Sequence, residues 1–226
     1  MFTLKRMIFC STIMIMSLSM HAKQDRRSLK SPKYVLIIRH GEKSNEKGPV
    51  KFKQWNFAQA KSFAVKGWER AKALSIFFTK DPAMTKYGKI VALFAPNPTQ
   101  YYQSTHPVQT LWPLSEKIHE NVLLHFDLGQ EKKLVRHILN QDEYFGKTVL
   151  IAYEHDHIPA IGKAFVEQTN TTQVTLPNMW PFSHTPVAES AKIYDRVWVL
   201  EFDPETGKII NFQNLPQRLM FGDATA

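Results

Sequence analysis

Four short apolar runs, well separated along the chain, dominate the pattern of hydrophobic and polar positions. Each is rich in Val, Ile, Leu or Phe, and they cover Tyr34 to Ile38, Ile90 to Phe94, Thr148 to Tyr153 and Val197 to Phe202. Short continuous runs of this kind predict strands that are buried on both faces of a sheet. A turn at Asp203 to Lys208 predicts that the last run pairs antiparallel with Ile209 to Phe212.

The segments between these runs have helical spacing. Between the first two runs, Trp68, Ala71, Leu74 and Phe78 approximate one apolar helical face, which predicts a helix over Gly67 to Phe78. Further helices are predicted at Val108 to Ile118, Glu131 to Leu139 and Ile158 to Val166. Strands that alternate with helices predict an α/β fold of three layers, α/β/α, around a mainly parallel sheet.

The N-terminus has the layout of a secretory signal. Lys5 and Arg6 precede an uncharged apolar run from Met7 to Met20, and Ala22 offers a small residue for cleavage. The run is shorter than the roughly 20 residues that span a bilayer, so a retained anchor is the less favoured alternative. We therefore predict a signal peptide at 1–22, a single domain at 23–226, and an exported protein, periplasmic or extracellular, without a stable membrane anchor after processing.

Composition narrows the classes of partner and of chemistry. The chain has 226 residues, 43% hydrophobic and 22% charged, which suits one packed domain. Its formal net charge of +9 attracts anions such as phosphorylated substrates, but the basic residues are scattered, so nucleic-acid binding is not predicted. Cys10, the single cysteine, lies in the signal, which excludes thiol chemistry from the mature chain. Nothing indicates an oligomeric state.

The first predicted strand is followed directly by residues that could bind phosphate and take part in phosphoryl transfer. It is followed by Arg39, His40, Gly41 and Glu42, at the carboxyl end where open α/β sheets place their ligand sites. The guanidinium of Arg39 suits phosphate oxygens, and a neutral imidazole at His40 can attack phosphorus. Gly41 would allow the backbone to approach a ligand closely.

The third predicted strand repeats this arrangement with Glu154, His155 and Asp156. If the two strands are neighbours, His40 and His155 could bracket one phosphoryl group, with one attacking it and the other stabilising its charge. For a lone histidine a structural role is the more common one. The shared position after two strands, with Arg39 beside the first, favours a function.

The segments IIRHGEK and VKGWERAKAL resemble the opening of the histidine phosphatase superfamily, also called phosphoglycerate-mutase-like. The resemblance extends through Gln109 and Thr110, the segment YEHDHIPAI and the strand YDRVWVLEF. It implies that His40 is the nucleophile, that Arg39 binds phosphate and that His155 is the second histidine. It also implies that Asn45 contributes a hydrogen bond to phosphate.

One position departs from the superfamily pattern. A second phosphate-binding arginine usually stands three residues before the Gln-Thr pair, and here that residue is His106. His106 could bind phosphate when protonated, tune substrate preference, or mark a damaged site. Since imidazole has a reference pKa of about 6.5, the first option predicts turnover that is favoured on the acidic side of neutrality.

Three carboxylates are candidates for the general acid. Asp156 follows the second histidine, as in the acid-phosphatase branch of the superfamily, although it could instead be a helix N-cap. Glu154 and Glu42 are the other candidates, and both are also predicted to contact the substrate. Glu42 could equally be a solvated loop residue.

These inferences lead to one main prediction and two alternatives. The main prediction is a phosphomonoester hydrolase that needs no metal or cofactor and acts on a phosphorylated small molecule or other phosphoester through a phosphohistidine on His40. The first alternative is a phosphate- or phospholigand-binding protein of the same fold with impaired catalysis, prompted by His106. The second is a metal site of His155, His157 and His40, which Arg39 disfavours.

Overall fold

A six-stranded mixed sheet forms the centre of the protein in a computed structural model that describes residues 31–44 and 63–223. The predicted signal peptide and Asn45 lie outside the described residues. In chain order the elements are β1 Tyr34–Arg39, α1 Val65–Lys80, α2 Pro82–Thr85, β2 Ile90–Phe94, α3 His106–Ile118, β3 Val122–Leu123, α4 Glu131–Asn140, a 3-10 turn Asp142–Tyr144, β4 Thr148–Tyr153, α5 Ile158–Gln168, α6 Val187–Ser190, β5 Arg196–Phe202 and β6 Ile209–Pro216.

The strand order β3-β2-β4-β1-β5-β6 places β1 and β4 side by side at the centre of the sheet. β1, β4, β2 and β3 are parallel, whereas β5 runs antiparallel to β1 and β6 antiparallel to β5. The two central strands are mostly apolar and are buried along nearly their whole length. Their carboxyl ends consequently meet at one edge of the sheet.

Helices cover both faces of the sheet because alternate strand residues point to opposite sides. Val35 and Ile151 pack with residues of α4 and α5, such as Val135 and Phe165, in one core cluster. Leu36, Leu150 and neighbouring strand residues pack with α1 and α3 in a second cluster. The predicted α/β/α layering around a mainly parallel sheet is confirmed.

The predicted elements form, with small changes at their ends. β1 continues to Arg39, β5 begins at Arg196, and β6 extends to Pro216. The helix predicted from Val108 begins at His106 instead. The short elements β3, α2 and α6 were not predicted, because two to four residues are too few to show a period. In the part of the chain that the structure describes, no helix is both long and apolar enough to span a bilayer.

Candidate active site

The neighbouring carboxyl ends of β1 and β4 bring the candidate residues together. Arg39 is paired in register with Tyr153, and the backbone N–H of His40 donates to the carbonyl of Tyr153 at 3.1 Å. The residues that directly follow the two strands therefore lie side by side at this edge of the sheet. These residues are His40 and Glu154, so the register places a carboxylate, rather than His155, beside the predicted nucleophile.

The His40 ring is completely buried and is held through both nitrogens. Nδ1 lies 2.6 Å from the carbonyl oxygen of Gly41, which can only accept, so Nδ1 carries a proton. Nε2 lies 3.0 Å from Oε2 of Glu154. Because Nδ1 is occupied by the Gly41 carbonyl, Nε2 is the nitrogen that can act as a nucleophile once it loses its proton.

Glu154 is the centre of a small polar network. Besides His40, its Oε2 accepts from Nζ of Lys43 at 3.1 Å, and its Oε1 accepts from the hydroxyl of Tyr102 at 2.8 Å. Burial favours the neutral carboxyl, but the hydrogen bond and charge of His40 and the charge of Lys43 outweigh it and hold the pKa of Glu154 well below its usual range. The site thus contains an ionised, buried carboxylate in contact with an imidazole.

The guanidinium of Arg39 is almost fully buried and is fixed by the last residue of α6 and the segment that follows it. Its Nη1 donates to the carbonyls of Ser190 and Ile193, both at 3.0 Å, and the Tyr194 ring lies 3.7 Å from the guanidinium carbon. The indole N–H of Trp180 also donates to the Ile193 carbonyl. Nε of Arg39 has no hydrogen-bond partner among the described residues. Burial lowers the pKa of Arg39, although the nearby phenol and carboxylates oppose this effect.

His106 is the first residue of α3 and is buried directly beside the nucleophile. The ring centroids of His40 and His106 are 5.2 Å apart, and the Phe63 ring stacks on the other side of His106 at 5.4 Å. Nδ1 of His106 lies 2.8 Å from the hydroxyl of Ser104. The residue that replaces the expected arginine therefore belongs to the same site.

The backbone after His40 is locked against α1 and α3. The N–H of Gly41 donates to the Thr110 hydroxyl at 2.9 Å, and this hydroxyl donates to the carbonyl of His106 at 2.8 Å. A methyl group on Gly67 would lie 2.5 Å from the carbonyl oxygen of Glu42. The sequence GxxR at the start of α1 thus provides the close approach that the loop after His40 needs.

His155 and Asp156 follow Glu154 but differ in their surroundings. Nδ1 of His155 is buried and has no hydrogen-bond partner within the described ranges. Burial, together with the charge of Arg39, lowers the pKa of His155 to about 4, so its ring is neutral near pH 7. Asp156 is exposed. The alternative N-cap role of Asp156 is wrong, because His157 occupies the cap position of α5 and no side chain caps that helix.

Glu42 points away from this network into an ion-pair cluster. Its carboxylate accepts from Nε and Nη2 of Arg70, and Arg70 also donates to Asp223 near the C-terminus. Arg70 is 1% exposed and therefore tightly enclosed. The cluster fixes the loop that follows the nucleophile, which is a positioning role.

A cavity of about 400 Å³ opens onto the site. Its lining includes Lys43, Tyr102, His106, Glu154 and Asp156 from the site itself. Tyr101, almost completely exposed, lies at the same cavity. A ligand entering here would reach the carboxylate of Glu154 and the ring of His106 directly.

Two groups of side chains in the described part have donor atoms close enough for a metal ion. One comprises His40, His106 and Glu154, and the other comprises Glu154, His155 and Asp156, with donor atoms within 4.8 Å of one another in each. The combination of His155, His157 and His40 is not among them. Nδ1 of His157 instead pairs with Glu131 at 2.7 Å, which raises the pKa of His157.

Two tyrosines belong to the site but were not predicted from the sequence. Tyr102 donates to Glu154 and Tyr194 covers Arg39, yet both come from irregular segments without any periodic signal. Burial, followed by the charge of Glu154, raises the pKa of Tyr102, so its hydroxyl stays protonated and donates. Lys43 lies three residues after His40 in the sequence, and this proximity is the sequence feature that could have indicated its place in the site.

Comparisons with known proteins give similarities at low identity. No family model and no curated protein matches the chain. Among solved structures, a SixA protein of Agrobacterium tumefaciens, assigned as a phosphohistidine phosphatase, is 13% identical with a TM-score of 0.44, and the match covers 80% of this chain and 97% of that one. A phosphoserine phosphatase of Entamoeba histolytica, in complex with 3-phosphoglyceric acid, is 12% identical with a TM-score of 0.40, covering 83% and 99%. A phosphoglycerate mutase of Bacillus anthracis is 8% identical with a TM-score of 0.41, covering 84% and 94%. Values at this level identify no family, so the functional interpretation depends on the sequence motifs and on the geometry of the site.

Proposed function

We propose that the protein is a phosphomonoester hydrolase of the histidine phosphatase type, which forms a phosphohistidine on Nε2 of His40. The observation that carries this proposal is the fixed orientation of His40. Its Nδ1 donates to the Gly41 carbonyl, which leaves Nε2 as the reactive nitrogen at the end of a buried strand. The Arg-His-Gly motif and its position in the sequence support the same assignment.

Glu154 is positioned to exchange a proton with the nucleophile. In the resting site, Nε2 of His40 donates a hydrogen bond to Oε2 of Glu154 at 3.0 Å. When the proton moves from Nε2 to Oε2, the imidazole becomes a neutral nucleophile and Glu154 becomes a carboxylic acid. This acid then protonates the leaving oxygen as the bond between that oxygen and phosphorus breaks.

Lys43 and Tyr102 assist this step through their contacts with Glu154. An arriving phosphate dianion attracts the ammonium of Lys43, which is 42% exposed and free to turn towards it. Partial loss of this cationic partner favours the protonated form of Glu154. In the second half of the reaction, Glu154 removes a proton from water, and the water attacks the phosphohistidine to release inorganic phosphate. Return of that proton to Nε2 of His40 restores the hydrogen bond between the two side chains. Asp156, exposed on the cavity wall, is the alternative acid.

Arg39, His155 and His106 are proposed to bind the phosphoryl oxygens. Arg39 brings a permanent charge and a free Nε, and neutral His155 can donate one hydrogen bond from its ring. His106 stands where a second arginine is expected, next to His40. Asn45, predicted to add a hydrogen bond, remains a prediction, and so does export of the mature chain to the periplasm or the exterior.

A binding protein with impaired turnover is the second candidate, and His106 is the observation that favours it. An imidazole provides less positive charge near pH 7 than the guanidinium it replaces. Such a protein would keep the phosphate-binding geometry and lose the stabilisation of the transition state. Its substrate-like ligands would then bind without being hydrolysed.

A panel of phosphomonoesters assayed from acidic to neutral pH separates the two candidates. We expect wild type to release phosphate, His40→Ala to fall to background, and rapid quenching with labelled substrate to trap an acid-labile phosphoryl group on wild type only. Equal background rates in both proteins, together with retained phosphate binding, would favour the binding protein.

A further inference from the structure

We infer that the cavity beside His40 accepts the leaving group of an aminoalkyl phosphate, and that the carboxylate of Asp156 binds the ammonium group of this ligand. The inference rests on the proposed function, because it names the class of phosphoester that the site takes. It assigns to Asp156 a role in substrate specificity that is separate from proton transfer.

Asp156 presents its carboxylate to the cavity and has no hydrogen bond or ion pair with the described residues. The side chain is exposed and belongs to the cavity lining. Two basic side chains of the same lining already have carboxylate partners. Nζ of Lys43 pairs with Glu154 at 3.1 Å. Nδ1 of His157 pairs with Glu131 at 2.7 Å. The carboxylate of Asp156 is therefore available to a cationic ligand.

A second carboxylate lies next to that of Asp156. Glu154, His155 and Asp156 have side-chain donor atoms that all lie within 4.8 Å of one another. Two carboxylates at this separation repel each other, and a ligand cation beside them reduces the repulsion. A carboxylate on the leaving group would instead add a third negative charge. The cavity thus favours an ammonium group over a carboxylate in the alcohol part of the ester.

The distance from the nucleophile suits a short carbon chain. Oε2 of the buried Glu154 lies 3.0 Å from Nε2 of His40, and the exposed Asp156 lies on the solvent side of this pair. With bonds of about 1.5 Å, the nitrogen of an extended two-carbon aminoalkyl phosphate lies about 5 Å from its phosphorus. Such a ligand can place its phosphoryl group at His40 and its ammonium near Asp156. Tyr101 and Leu128 line the same cavity and offer apolar surface to the carbon chain.

The charges of the site follow the same order as the charges of such a ligand. Arg39, proposed to bind the phosphoryl oxygens, is buried at the inner end, and Asp156 is exposed at the outer end. A zwitterionic ligand meets a cation at its phosphate and an anion at its amine. Electrostatic complementarity of this kind contributes mainly to specificity.

Calorimetric titration with phosphonates, which cannot be hydrolysed, tests the subsite without turnover. The first probe is 3-aminopropylphosphonate, in which a methylene replaces the ester oxygen of 2-aminoethyl phosphate, and the second is its neutral counterpart n-butylphosphonate. Near pH 7 the amine is protonated. We expect wild type to bind the ammonium probe about 3- to 5-fold more tightly, which is the upper part of the range for an exposed ion pair.

Variants of two exposed aspartates assign this preference to its source. Asp156→Asn removes the charge and keeps the size of the side chain, so the two probes should bind almost equally. Asp142→Asn is the matched control, because Asp142 is also exposed but precedes the amino end of β4, outside the cavity lining, and it should keep the wild-type ratio. Asp156→Lys should reverse the order and favour 3-phosphonopropanoate over 3-aminopropylphosphonate. Circular dichroism verifies the folding of each protein.

The outcomes separate the subsite from the proposed function. Equal binding of both probes by wild type, no phosphonate binding, or the same loss of preference in Asp156→Asn and Asp142→Asn would overturn the subsite. If the phosphonates bind as expected and neither 2-aminoethyl phosphate nor n-propyl phosphate is hydrolysed, the subsite stands and the hydrolase proposal fails. Where both esters are hydrolysed, Asp156→Asn should lower kcat/KM about 3- to 5-fold more for the ammonium ester than for the neutral one. Equal reductions for the two esters would count against the subsite while leaving the hydrolase intact.

Discussion

Replacing Glu154 with glutamine tests the central proton transfer. Glutamine keeps the size of the side chain and one acceptor oxygen, but its amide cannot take a proton from Nε2 of His40 at 3.0 Å or deliver one to a leaving group. General acid–base catalysis contributes about 100- to 10,000-fold. At about 1.36 kcal/mol for each factor of ten, this is about 2.7 to 5.4 kcal/mol of the activation barrier.

The leaving group distinguishes loss of the acid from a general disturbance of the site. p-Nitrophenolate departs readily without a proton, whereas an alkoxide needs one. We therefore expect Glu154→Gln to reduce kcat about 100- to 10,000-fold on an alkyl phosphate, and by only about tenfold on p-nitrophenyl phosphate. The assay is steady-state phosphate release with both substrates at the same pH.

Asp156→Asn is the matched control, because Asp156 lines the same cavity and is the alternative acid. If Glu154 is the acid, Asp156→Asn should change both substrates by the same small factor. A selective loss on the alkyl phosphate in Asp156→Asn, combined with equal losses on both substrates in Glu154→Gln, would refute the assignment.

Three further predictions concern the surroundings of the nucleophile. If His106 binds phosphate as an imidazolium, His106→Arg should shift the optimum of kcat/KM towards neutral pH, and identical profiles for the two proteins would remove the idea. Gly67→Ala should lower the free energy of unfolding by about 1 to 3 kcal/mol, measured by urea denaturation, because its methyl would lie 2.5 Å from the Glu42 carbonyl oxygen. Burial of Asp223 opposes its ionisation, but the hydrogen bonds from Arg70 outweigh this and lower the pKa of Asp223. The stabilisation is thus present above the unfolded-state pKa of about 3.9 and is lost as the pH falls through the lowered value, so Asp223→Asn should cost about 1 to 3 kcal/mol at pH 7 and progressively less in acid.

Controls and contrary results follow from the same contacts. Gly162→Ala adds a methyl that meets the end of the flexible Leu176 side chain at 3.0 Å, so it should cost less than Gly67→Ala. A Gly67→Ala protein as stable and active as wild type would show that the loop after His40 tolerates displacement. A constant difference between wild type and Asp223→Asn across the acid range would exclude an electrostatic origin for that effect.

Local pattern was sufficient to predict the main elements of the fold. β2 and β4 have the predicted bounds, and the four long helices differ from prediction by a few residues at their ends. Burial on both sides of a central strand requires a continuous apolar run, and burial on one side of a helix requires a period near 3.6. Both requirements are visible in consecutive residues. The two-residue strand β3 is formed by its pairing with β2 and has no comparable signal.

The same distinction between local sequence pattern and long-range contacts applies to the site. The amino-acid sequence was enough to place Arg39 and His40 at the end of one strand and Glu154 to Asp156 directly after another, because position relative to an apolar run is a local property. Three features of the site come from the folded chain: Glu154 pairs with His40, Tyr102 and Tyr194 join the site, and His106 lies beside the nucleophile. These contacts depend on the register between β1 and β4 and on the packing of α3 and of irregular segments against the sheet edge. Residues far apart in the chain meet there, and no periodicity within a single segment encodes which of them will touch.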